Sequence, residues 1–176
     1  MMAAMNLDLR QIQGAAEQVR RTFTEATLGQ GSDQYKVVDT GTLDLVVRRD
    51  KTRYRLAGRL DVMLELECCR CLEPYRFGVG VDIDLMYVPA SANTGDGDLQ
   101  IEESDLSSAY YRDEQIDLGQ LVHEQVQLAL PMKPLCRDDC QGLCTVCGGN
   151  RNTTMCQCVE TWEDPRLATL KRLLIQ

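Results

Sequence analysis

The chain has 176 residues, the length of one medium domain or of one domain with a small appendage. Apolar residues at 44% suffice for a core, but aromatics at 5% leave Leu, Val, Ile and Met to build it. A net charge of −8 argues against a generic high-affinity nucleic-acid binder, which is basic overall. The opening MMAAMNLDLRQIQ shows no basic region followed by an apolar run, and no stretch approaches the roughly 18 apolar residues of a membrane span. The expected location is therefore cytoplasmic, where thiols are kept reduced.

Residues 5 to about 28 read as a helix, because Ile12, Ala16, Val19 and Phe23 recur at helical spacing. Gly29, Gly31 and Ser32 break it. From 35 to 88 the period becomes two. Leu43, Leu45 and Val47 alternate with Thr42, Asp44 and Val46, and Leu56, Leu60, Val62 and Leu64 continue the alternation past Gly58. Phe77, Val79, Val81, Ile83 and Leu85 form the clearest strand, with Gly80, Asp82 and Asp84 on its other face. Arg49-Asp50-Lys51 marks a hairpin turn. The segment reads as an antiparallel sheet or small barrel with one wet face. Residues 89–108 read as a loop, and 109–112 as a short strand. A helix opens at Asp117, with Gln120 completing a capping box, an apolar face of Leu118, Leu121, Val122, Val126 and Ala129, and a stop at Pro131. A last helix opens at Asp164-Pro165, with Leu167, Leu170, Leu173 and Leu174 as its buried stripe.

Nine cysteines in a reducing compartment call for a role. They make up about 5% of the chain, below the roughly 8–10% of a secreted disulfide scaffold, and clustered thiols of this kind point to metal. Six follow the pattern Cys136-x3-Cys140-x3-Cys144-x2-Cys147-x8-Cys156-x-Cys158. Two cysteines flanking two residues bracket a tight turn and aim both sulfurs at one point, and zinc takes four such ligands tetrahedrally. Gly148 and Gly149 supply left-handed backbone for the knuckle. Cys144, Cys147, Cys156 and Cys158 form the best single set, with Cys136 and Cys140 as substitutes or as a second pair. Cys68-x2-Cys71 reads either as an independent knuckle partnered by Cys136 and Cys140, giving two zinc sites, or as buried thiols at a turn. Redox thiols and unliganded packing are the rival readings of the C-terminal cluster.

Other chemistry finds little support. His123, the only histidine, lies mid-helix and reads as structural or exposed. There is no Ser–His–Asp order, no P-loop and no GxGxxG. Gly95-Asp96-Gly97-Asp98 lacks the distal Glu of an EF-hand and reads as solvated linker. Charge, however, is unevenly placed. Arg48, Arg49, Lys51, Arg53, Arg55 and Arg59 surround the hairpin turn against a single Asp50, with Tyr54 interleaved. Such a hairpin can track a phosphate backbone and stack a base; the plainer reading is a solvated edge strand whose charges block aggregation. Residues 82–117 hold ten acids and one basic residue, Arg112. They suit a basic partner such as a ribosomal protein, or simply keep the chain in solution.

Several phrases occur in a recognisable order: Cys68-x-Arg70-Cys71-Leu72-x-Pro74, Ile116-Asp117-Leu118, Glu124 ahead of Leu128-Ala129-Leu130-Pro131, Pro134-Leu135-Cys136, Gly142-Leu143-Cys144-x-x-Cys147-Gly148, Asn150-x-Asn152, Cys156-x-Cys158 and Asp164-Pro165-Arg166. Together they resemble the bacterial and chloroplast family called large ribosomal RNA subunit accumulation protein, or YceD-like, over about residues 7–174. The resemblance implies a role in accumulation or maturation of 23S ribosomal RNA, and no known enzymatic activity. Members often lie beside the gene for a small large-subunit ribosomal protein. Some lack the C-terminal cysteines, which implies that zinc stabilises the fold in the members that keep them. Cys69 falls where members carry another residue and receives no role.

The expected fold is α+β: an antiparallel sheet or small barrel with flanking helices over 1–130, and a cysteine-rich zinc-binding segment with a C-terminal helix over 131–176. The expected function is a non-enzymatic ribosome-assembly factor carrying structural zinc. Its partner would be precursor ribosomal RNA, bound through the basic hairpin, or a large-subunit ribosomal protein, with no membrane involved. A protein-interaction adaptor without RNA contact and a thiol redox sensor are the alternatives.

Overall fold

A computed structural model describes residues 5–12, 14–28, 34–90 and 108–159. The expected acidic loop over most of 89–108, and the helix opening at Asp164, lie outside the described residues.

In chain order the elements are β1 (Asn6–Asp8), a 3-10 turn (Leu9–Gln11), β2 (Ala16–Phe23), α1 (Glu25–Leu28), β3 (Lys36–Val37), β4 (Gly41–Asp50), β5 (Arg53–Glu67), β6 (Pro74–Pro89), β7 (Ser108–Tyr111), β8 (Gln115–Asp117) and α2 (Leu118–Ala129). Six strands form one sheet in the order β2-β4-β5-β6-β7, with β3 continuing the line of β4 along β5. It is an open, curled half-barrel. All pairings are antiparallel except β6–β7, which is parallel. β1 and β8 form a separate two-stranded ribbon.

The alternation read from sequence is the burial pattern. Leu43, Leu45, Val47, Leu56, Leu60 and Leu64 are at most 1% exposed, while Thr42, Val46, Arg55 and Arg59 between them face out. Burying each such side chain contributes about 1.5–3 kcal/mol. α2 packs on β6 and β1. Asp117 caps it by accepting from the Gln120 N–H at 3.0 Å. Leu118, Leu121, Val122 and Val126 are its buried stripe, and the helix gives way to extended backbone at Leu130, just before Pro131. The fold is thus α+β, mostly sheet.

The expected N-terminal helix is a correction. Residues 5–28 form β1, the 3-10 turn, β2 and the single turn α1. Only Val19 and Phe23 are buried within β2. A spacing of four returns a residue to the same face at period 3.6 and at period two alike, so Val19 and Phe23 fit both. The strand wins because β4 offers an open edge, paired from Ala16↔Arg48 to Phe23↔Gly41.

The β4 and β5 backbones approach unusually closely at one position. Gly58 pairs with Leu45, and a Cβ at that position would lie 1.9 Å from the Asp44 carbonyl oxygen. The obstructing atom is backbone, so the two strands approach this closely only because residue 58 has no side chain. Gly58→Val should destabilise the fold by about 3 kcal/mol or more, read as a lowered Tm in thermal unfolding followed by circular dichroism. Val46→Thr, on the exposed face, should leave Tm nearly unchanged.

Candidate metal centre

Eight of the nine cysteines gather into two groups of four: Cys68, Cys71, Cys136 and Cys140 in an inner site, and Cys144, Cys147, Cys156 and Cys158 in an outer site. Within each group all sulfurs lie within 4.8 Å of one another. Cys68 and Cys140 sulfurs stand 3.8 Å apart, and those of Cys71 and Cys136 3.7 Å. Disulfides require about 2.05 Å, and all nine thiols are free. Four sulfurs placed tetrahedrally about 2.3 Å from a zinc ion stand roughly 3.8 Å from one another. The inner site has that spacing, and thiolate donors in fours suit zinc. The structure therefore brings together the preferred set, and it gathers Cys136 and Cys140 with Cys68 and Cys71, the second-pair arrangement weighed from the sequence. Cys69 is exposed and outside both groups.

Local backbone explains how each group forms. The β5–β6 connection turns at Cys68–Cys71: the Leu72 N–H donates to the Cys68 carbonyl at 2.9 Å, with Leu72 at φ 60°. The same turn recurs at Cys144–Cys147. The Gly148 N–H donates to the Cys144 carbonyl at 2.9 Å, with Gly148 at φ 71°. Glycine adopts that conformation freely, whereas a leucine does so at a cost of about 1–2 kcal/mol.

Electrostatics favour an ion. Burial alone would raise the Cys68 thiol, but backbone N–H groups of Cys136, Cys71 and Arg70 directed at its sulfur bring it down to about 6. N–H groups of Cys147 and Val146 bring the Cys144 thiol to about 6 as well. The Asn152 amide lowers the Cys140 thiol. Cys136 is pushed up, first by burial and then by its neighbours Cys140, Cys71 and Cys68. Cys158 is pushed up by its contact with Cys147, by burial and by Cys144. Each site thus holds one sulfur displaced toward the thiolate beside one displaced toward the thiol. A divalent cation removes that conflict.

The two sites differ in setting. Cys68, Cys71 and Cys140 are buried and form a small core with Tyr75 and Leu135 packed against it. In the outer site Cys147 and Cys158 are exposed. Among the described residues after Pro131 the buried ones are Cys140, Gly142 and Cys144, so this segment has almost no apolar interior of its own.

The basic hairpin needs two corrections. Tyr54 is 6% exposed and faces the core, where its ring meets Tyr111 edge-on at 5.6 Å and lies under the Arg49 guanidinium. It is not available to stack a base. Arg55 is engaged by Asp84 through two hydrogen bonds of 2.7 and 2.6 Å, and Arg59 by Asp61 and Asp82, each at 3.1 Å. The positive and negative segments of sequence are therefore partly cross-strand neighbours on the exposed face. Arg20 and Asp44 pair in the same way. Arg48, Lys51 and Arg53 at the tip are exposed and form no ion pair among the described residues. His123 accepts or shares a hydrogen bond with the Tyr35 hydroxyl at 2.8 Å, a structural contact between α2 and the start of β3.

A curled half-barrel with two tetrathiolate groups, and no described helix long and apolar enough to cross a membrane, defines a small sheet protein built around cysteine knuckles. The model of the family described as large ribosomal RNA subunit accumulation protein YceD matches residues 56–174, and the chain belongs to that family. An uncharacterised protein of Mycobacterium tuberculosis is 35% identical over 150 residues, 81% of this chain and 64% of its own length. A chloroplastic protein of Zea mays, named large ribosomal RNA subunit accumulation protein YCED homolog 1, is 28% identical over 135 residues, 64% of this chain and 46% of its own. The chain thus spans a little under two thirds of the Mycobacterium bovis and Mycobacterium tuberculosis relatives, and about half of the Mycobacterium leprae and Zea mays ones. No solved structure matches it.

Sequence reading passed over Asn152, whose amide touches the Cys140 sulfur at 3.3 Å. Its only signal was its place in the Asn150-x-Asn152 phrase. Eight thiols at four per ion predict two zinc ions per chain by elemental analysis. Cys68→Ser or Cys144→Ser should each leave one, and Cys68→Ser should lower Tm more because its site is buried. Protons compete with metal for sulfur, so metal content should hold at alkaline pH and fall as the solution is acidified.

Proposed function

We propose that this chain is a non-enzymatic, zinc-stabilised assembly factor that supports accumulation or maturation of 23S ribosomal RNA. The family match over residues 56–174 carries the reading. The fold suits a role by occupancy. Among the described residues eight thiols are grouped in fours. A zinc ion in each site would be held by four thiolates, a closed shell that is structural rather than catalytic.

The RNA-contacting surface is the tip of the β4–β5 hairpin. Tyr111 steadies it by donating its hydroxyl to the Thr52 carbonyl at 3.0 Å, and β7 runs alongside β6 there. Arg48, Arg49, Lys51 and Arg53 project from a braced support, as phosphate contacts require. A factor bound in this way stabilises one RNA conformation or shields it from nucleases. The protein acts in the cytoplasm.

A second reading, an adaptor for a large-subunit ribosomal protein without RNA contact, draws on the engagement of Arg55 and Arg59 by acids and on the net charge of −8. Replacing Arg48, Lys51 and Arg53 together by Glu separates the two. Under the RNA reading, 23S levels fall relative to 16S in cells. The slope of log K against log salt for RNA binding also flattens by about 2, at roughly 0.7 per lost phosphate contact on single strands. Unchanged RNA levels and crosslinks to protein alone would establish the adaptor.

A further inference from the structure

Asn152 belongs to neither group of thiols, yet it touches one and is carried by the other. It lies on the loop between Cys147 and Cys156, both in the outer site. Its Nδ2 donates to the inner-site Cys140 sulfur at 3.3 Å and to Asn150 Oδ1 at 2.9 Å. Its Oδ1 accepts from the Gln141 backbone N–H and from an Arg137 guanidinium nitrogen, both at 2.8 Å. Two donors facing that oxygen fix which way the amide points, so an N–H must face the sulfur.

The loop that delivers Asn152 is closed by the outer knuckle. The Cys144 N–H donates to the Gly149 carbonyl at 2.8 Å, and the Arg151 N–H to the Gly142 carbonyl at 2.9 Å. Leu143 and Asn150 form a bridge across its neck. The same segment is fastened to the inner knuckle from the other side, where the Leu143 N–H donates to the Arg70 carbonyl at 3.0 Å and the Arg70 side chain donates to the Cys140 carbonyl at 2.9 Å. The position of Asn152 against Cys140 thus depends on the outer loop being closed. A zinc ion held by four thiolates carries net negative charge, and an N–H aimed at one sulfur stabilises it.

We propose that Asn152 is a positioning residue that couples the two metal sites, so that filling the outer site tightens metal binding at the inner one. This rests on the reading of both thiol groups as metal sites. Coupling of this kind is reciprocal, so inner-site occupancy tightens the outer site by the same factor.

Chelator-competition titrations of zinc on the full chain test it, with Cys147→Ser/Cys158→Ser reporting the inner site alone. Asn152→Ala should weaken the inner site by about 10-fold or more, within the range of outer-shell substitutions at metal sites, while stoichiometry stays at two. Asn152→Asp keeps the oxygen that receives Gln141 and Arg137 but replaces the donor with an anion facing the thiolate. It should weaken the inner site at least as much as Asn152→Ala. Removing the outer site should itself weaken the inner one, and adding Asn152→Ala to that background should cost little more. The proposal is overturned if Asn152→Asp binds like the parent, or if Asn152→Ala weakens the inner site equally with and without the outer thiols. A parent chain binding no zinc would instead defeat the underlying metal reading, and the coupling with it.

Discussion

The described residues beyond Pro131 hang on sulfur. The described residues after that point bury two cysteines and a glycine and no large apolar side chain, so burial of hydrocarbon cannot hold the segment against the sheet. What holds it is the meeting of Cys136 and Cys140 with Cys68 and Cys71 at the end of the β5–β6 hairpin, reinforced by backbone bonds such as Cys69 N–H to the Pro134 carbonyl at 2.9 Å. Thiolates crowded this closely repel one another; backbone N–H groups hold the Cys68 thiol down, while burial and then its thiol neighbours push Cys136 up. A divalent ion converts the same crowding into cohesion. The chain can then append a segment of about thirty described residues without enlarging its hydrophobic core.

Repetition of one turn is the economy behind this arrangement. Cys68–Leu72 and Cys144–Gly148 close the same hydrogen bond with the same left-handed residue at the fifth position. In the second copy the residue is the expected glycine. In the first it is a leucine, tolerated because the long β5–β6 hairpin and its 14 paired positions impose the turn. Local preference and tertiary constraint thus reach one geometry by different routes.

This contrast also separates what the amino-acid sequence disclosed from what it hid. Gly148 and the CxxC spacing announced the outer knuckle because all its determinants are local. The alternation of β4 and β6 was legible because one face of each strand is buried and the other wet, and Asp117 was legible as a cap for the same local reason. The N-terminal helix was misread because Val19 and Phe23 satisfy both periods, and only the open edge of β4 decides between them. Charge pairing was hidden in a related way. Arg55 and Asp84 are 29 residues apart, and nothing short of the strand register reveals that they neutralise each other. Register likewise turns Tyr54 inward. Asn152 escaped notice because a residue that aims an amide at a sulfur carries no spacing signature of its own.

β5 runs from Arg53 to Glu67 without interruption. A strand advances about 3.3 Å per residue, so its 15 residues measure roughly 50 Å along their path. One terminus of this rod carries the cationic tip, and the other carries the first thiol knuckle. The length of β5 therefore sets how far along the strand the cationic tip lies from the first thiol knuckle.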